Sequence, residues 1–189
     1  MALWKKLIRQ PDKEGLTASL EACIANGIRL LEDADWVLHL KPPATAFMLA
    51  MIAQEEFAKA FILSLIRSGI VPWSPLLLRA MNDHACKQLV GLLIDYADPE
   101  WEQFEELEAT YKEEYAQGEK MPLRVVSALE ILRYEKIERW ASSTWFGAEE
   151  PEYDRDVLRI ADGSKDKVKQ DALYVRIARD GSLIRRLSQ

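Results

Sequence analysis

Histidine and cysteine are scarce in this chain, with two of each in 189 residues, and neither type is clustered. Without a Cys-x-x-Cys pair or a Cys/His group, the ligand set of a structural zinc site and the framework of a disulfide scaffold are both missing. Cys23 and Cys86 fall inside apolar helical patterns and are read as buried free thiols of a reducing compartment. No run of about eighteen uncharged apolar residues occurs. Residues 46–66 come closest, and Gln54, Glu55, Glu56 and Lys59 interrupt them. The N-terminal Met-Ala-Leu-Trp-Lys-Lys-Leu-Ile-Arg lacks the apolar core and small-residue cleavage site of a signal peptide. No membrane partner is therefore expected, and the location is read as cytoplasmic.

Phosphate-cradling glycine motifs and the Gly-x-Ser-x-Gly elbow are absent, as is any pair of Glu-x-x-His motifs for a di-iron bundle. No cofactor and no metal is expected on these grounds. The formal charge of −6 lacks the basic balance of a nucleic-acid coat, so any RNA contact has to be local.

What is present is helical periodicity. Leu16, Leu20, Cys23, Gly27, Leu30, Leu31, Ala34 and Leu38 mark one long helix, stopped by Lys41-Pro42-Pro43. A second helix runs from about Ala44 to Ser68, with Gly69 as its C-cap. Ser74-Pro75 opens a third, expected to reach Tyr96. Asp98-Pro99 opens a fourth, acidic one, and Met121-Pro122 a fifth, to about Ser142. Residues 147–170 lose the period and read as loop and short helix. Asp180-Gly181 between two short alternating runs predicts a hairpin. The expectation is an all-α bundle of about five helices over 1–146, with residues 147–189 as a C-terminal appendage carrying the hairpin.

Two groups of polar residues stand out. Glu55 and Lys59 are four apart in the apolar second helix and are expected to pair there, at least partly buried, with Glu56 beside them. Further on, Arg79-Ala-Met-Asn-Asp-His84 is an Arg-x4-His element, followed by Lys87. A histidine near its ordinary pKa can move the 2′-hydroxyl or leaving-group proton of RNA. An arginine can hold the scissile phosphate. On one ideal helix, residues five apart point roughly 140° apart, so a two-fold dimer juxtaposing two copies is expected. The six tryptophans show no regular spacing and read mostly as core or interface residues.

These residues resemble the AbiV type of abortive-infection proteins, in the HEPN superfamily, over residues 14–187. The resemblance rests on Asn-x-x-Arg-Leu-Leu-x-x-Ala (Asn26 to Ala34) and on Glu55-Glu56-x-x-Lys59-Ala60. His84-x-x-Lys87, Leu173-Tyr174-Val175 and Gly181 complete it. Phe57-Ala58 stands where the family often has glycine, and Ala80 where a polar residue usually follows the arginine. The resemblance implies a HEPN-like bundle, often dimeric, acting in antiphage defence as a metal-independent ribonuclease. Arg79 and His84 would be its catalytic pair, supported by Glu55, Glu56, Lys59, Asn82, Asp83 and Lys87. The partners implied are RNA, a second copy, and a phage or host protein. The alternative is a non-catalytic HEPN-like module that binds such a protein or a nucleotide.

Overall fold

The computed structural model describes residues 11–40, 43–97, 121–141, 152–173, 176–177 and 183–185. The backbone divides into two compact units, Met1–Pro75 with Gly163–Gln189, and Leu76–Asp162.

In the first unit, α1 (Lys13–Leu40) packs along α2 (Pro43–Arg67). Asp12 starts α1 by accepting the Gly15 N–H at 2.8 Å, which satisfies one of the donors a helix start leaves open. Its buried residues Leu16, Leu20, Leu30 and Ala34 follow the expected three-four spacing. Helix α2 ends as Gly69 predicts. Gly69 has φ +77°, its N–H reaches the Ile66 carbonyl, and the Ile70 N–H reaches Leu65 at 3.0 Å. That is a Schellman cap, and it needs a residue tolerant of left-handed backbone.

At Gly27 the ring of Phe57 packs directly on the α1 backbone. A Cβ there would lie 2.8 Å from the ring carbons of Phe57. Helix α8 (Ser164–Leu173) also packs on α2. Beyond it, β1 (Arg176–Ile177) and β2 (Leu183–Arg185) pair antiparallel, Arg176 opposite Arg185 and Ile177 opposite Leu183, with a register shift between. The expected hairpin therefore forms; its Asp180-Gly181 tip lies outside the described residues.

The second unit contains α3 (Pro75–Asn82) from Leu76 onward, α4 (His84–Ala97), α5 (Leu123–Glu130), a π-helix (Ile131–Glu138), α6 (Arg139–Ala141) and α7 (Arg155–Ala161). Leu89 and Leu92 of α4, Ala128 of α5, Ile131, and Val157 and Ile160 of α7 form its buried core. Asp154 caps α7, accepting the N–H groups of Asp156 and Val157. Asp154's own N–H donates to the buried Ser127 Oγ at 2.9 Å, tying the start of α7 to α5. The fourth expected helix, near 98–118, lies outside the described residues. The fifth begins after Pro122 as expected, but its second half is π-helical. There the Arg139 N–H reaches the Tyr134 carbonyl, and Arg133 pairs with Glu138 at 3.1 Å, five residues on. No helix among the described residues is long and apolar enough to cross a membrane.

The Gly27–Phe57 approach sets two effects against each other. Gly27→Ala gains up to about 1 kcal/mol of helix propensity, while overpacking costs about 1–3 kcal/mol. Urea denaturation should show a net loss of about 1 kcal/mol. In a Phe57→Leu background the same change should be neutral or stabilising. A gain in the native background would show that the ring moves aside freely.

Candidate functional site

The expected third helix is in fact two. Asp83 interrupts it: its carboxylate accepts the Cys86 N–H at 2.9 Å, and its own N–H bonds the Ala80 carbonyl. Asp83 is thus the N-cap of α4. A short acidic side chain that competes for backbone donors breaks a helix and restarts it. Asn82 turns back to the Leu78 carbonyl at 2.8 Å and finishes α3. The premise that Arg79 and His84 share one helix therefore fails, and with it the 140° argument for a dimer.

Arg79 lies in the last turn of α3, where a cation is favoured by the helix dipole. Its guanidinium sits over the Trp140 ring, 4.2 Å from the centroid. That stack holds the arginine while the residue as a whole remains exposed. His84 is the first residue of α4 and is also exposed. Lys87, one turn on, is buried. Of the expected site residues, Arg79, Asn82, Asp83, His84 and Lys87 thus gather around the α3–α4 junction. Asn82 and Asp83 are there as helix-end caps.

Glu55, Glu56 and Lys59 belong to the first unit. The expected Glu55–Lys59 pair is corrected: Lys59 Nζ bonds Glu56 Oε1 at 2.6 Å, three residues back. Glu55 is 3% exposed, whereas Glu56 and Lys59 lie at the edge of the buried face. Lysine reaches the carboxylate at its own depth. Cys23 of α1 adjoins that pair. Its thiol is raised by burial and by the charge and hydrogen bond of Glu56, against the opposing pull of Lys59.

Three features escaped the sequence reading. Trp140 carries no local signal of a cation partner on another helix. The Gln88 amide is 1% exposed, and among the described residues neither its oxygen nor its nitrogen finds a partner. The third is a cleft of about 390 Å³ between the π-helix and α7, with Ile131 and Leu158 as apolar lining and Glu135, Lys136, Arg139 and Asp162 as charged lining. Among the described residues, no three His, Cys, Asp or Glu side chains gather in a metal-binding group.

Cys86 lies against this junction and is fully buried. Burial pushes its thiol up to about 12, and the charge and hydrogen bond of Asp83 add to that, while Lys136 and Arg79 pull the other way. A raised thiol favours the folded state while it stays protonated. This contribution is complete below the ordinary value of 9.0 and is lost as pH rises towards about 12. With a thiol reagent at pH 8, Cys23 should label in the native protein and Cys86 only on unfolding. A Cys86→Ala variant should show a shallower loss of stability above pH 9. Native labelling of Cys86 at the rate of Cys23 would contradict the burial argument.

A family model described as AbiV, of the HEPN type, matches residues 16–185. No curated protein and no solved structure matches.

Proposed function

The chain belongs to the AbiV family of HEPN proteins, and on that premise we propose that it is an abortive-infection effector that cleaves RNA without a metal ion. Arg79 and His84 are the reacting pair, and the setting is the cytoplasm of an infected cell. The observation that carries this reading is the α3–α4 junction. There an exposed histidine and an exposed arginine, the latter stacked on Trp140, flank one helix break.

The chemistry asks for two proton movements. The 2′-hydroxyl loses a proton and its oxygen attacks the adjacent phosphorus. The bond to the 5′-oxygen breaks, and that oxygen takes up a proton. The products are a 2′,3′-cyclic phosphate and a 5′-hydroxyl. Neutral His84 accepts the first proton, and protonated His84 supplies the second. Arg79 holds the phosphate oxygens as negative charge grows on them. Because one imidazole cannot be in both states at once, a homodimer presenting two copies of His84 to one phosphate is the favoured arrangement. Lys87 adds positive charge one turn from His84. The Glu56–Lys59 pair serves the first unit as a tie beside Cys23. A phage or host protein would act as the trigger.

Purified protein incubated with total RNA in EDTA should cleave it and leave 2′,3′-cyclic ends. His84→Ala should lower the rate by about 10²-fold or more, and Arg79→Ala should also lower it strongly. Both variants should keep the native thermal midpoint to within a few degrees, since both side chains are exposed. Activity that EDTA abolishes and magnesium restores would overturn the mechanism. So would full activity of His84→Ala, and a strictly monomeric active species would remove the two-copy arrangement.

A further inference from the structure

We infer that the outer face of α1 is a docking surface for a basic amphipathic helix of a partner protein. At about 100° per residue, Ile24, Ile28, Leu31, Asp35 and Leu38 lie within about 40° of one line along the helix. The apolar members are 38%, 49%, 45% and 53% exposed. Single exposed apolar side chains are ordinary, but these recur at helical spacing and make a continuous stripe. The face that α1 turns to α2 lies to one side of it and carries the buried Leu16, Leu30 and Ala34. The apolar arc of α1 is thus wider than α2 covers.

The other side of the stripe is acidic. Glu14, Glu21 and Glu32 lie about 60–80° from the same line, and all are exposed. Among the described residues no cation pairs with any of them. Arg29 lies on the far side of the helix and is taken by Asp33. Asp35, within the stripe, is held only by His39 at 3.9 Å, both mostly exposed. The edge is therefore negative charge without a local counter-ion.

These two features together select the occupant. An apolar stripe takes the apolar face of a second helix, anchored at i, i+3, i+4 and i+7 spacing. The acidic edge asks that helix to carry lysine or arginine on the flank beside it. From Ile24 to Leu38 the stripe runs about 21 Å, the length of about four helical turns. The same edge repels RNA and an anionic lipid surface. A second copy is a poor occupant, because a two-fold antiparallel pair of α1 helices sets the two acidic edges against each other. The chain's own Lys5, Lys6 and Arg9 lie too near α1 in sequence. About 16 Å of helix separates Lys13 from Ile24, and residues 1–10 folded back as a helix would span about 15 Å, ending before the stripe begins.

The surface belongs to α1 alone and stands whether or not the chain cleaves RNA. Only its use, as the seat of the triggering protein, rests on the proposed function.

Fluorescence anisotropy of the full chain with two labelled peptides tests it. Each peptide is a helix of about five turns with leucine along one face; one carries lysine on the flanks and its twin carries glutamate. The lysine peptide should bind about tenfold more tightly than its twin, and less tightly as salt rises. Leu31→Asp, at an exposed position, should lose the lysine peptide and keep the native thermal midpoint, although it adds negative charge. That result separates docking from general attraction to an acidic protein. Glu21→Lys with Glu32→Lys should reverse the preference in favour of the glutamate peptide. His84→Ala should bind as the native chain does, so failure of the nuclease reading would leave this result standing. Equal binding of the two peptides would overturn the surface, as would lysine-peptide binding that Leu31→Asp leaves intact. Binding that appears only after removal of residues 1–10 would assign the face to the chain's own N-terminal segment. A native dimer that Leu31→Asp dissociates would assign it to a second copy. Either assignment overturns the partner helix.

Discussion

Asp83 is the constraint on which the second unit turns. Its N–H closes α3 on the Ala80 carbonyl, and its carboxylate starts α4 by taking the Cys86 N–H and adds to the burial that raises the Cys86 thiol. Because it does so at a helix break, the residues on either side leave their helices at the two ends of a junction. Arg79 occupies a C-terminal turn and His84 an N-terminal position. These are the places where backbone groups run out of helical partners and side chains meet solvent. An alanine at this position would cost about 1 kcal/mol as a lost cap. It would also remove the reason for the break, so that stability and site geometry would change together.

Much of the architecture was legible because its signals are local. Gly69, Pro122 and the alternating runs around Asp180-Gly181 mark a cap, a start and a hairpin by rules of backbone geometry, and the described residues follow them. The Asn82-Asp83 break is also local, yet the apolar period of 76–93 runs across it and suggested one helix. The site was less legible. That Arg79 stacks on Trp140 depends on where α6 lies, which no spacing encodes. The choice of Glu56 over Glu55 by Lys59 depends on depth within α2, and both glutamates satisfy the spacing rules for a pair. The charged cleft needs residues from the π-helix and α7 together, and nothing in either segment alone announces it.

In the first unit the bulky residue of the Glu-Glu-x-x-Lys segment is Phe57, and its ring fills the space beside Gly27 of α1. The mass absent on α1 is present on α2, so the helices keep a close approach with the side chain supplied from the other partner. The neighbouring Cys23–Glu56–Lys59 group lies along the same contact and gives it a polar edge.

The π-helix has a consequence for chain length. A π turn holds one more residue than an α turn, so Ile131–Glu138 behaves as an α-helix with an insertion absorbed into it. The turn has taken that residue up, so the side chains beyond it, Arg139 and Trp140, keep the direction a shorter α-helix would give them. Deleting a single residue from 131–138 would let the segment relax to α geometry and leave Trp140 over Arg79. The length of this stretch can therefore change by one residue without moving the stack.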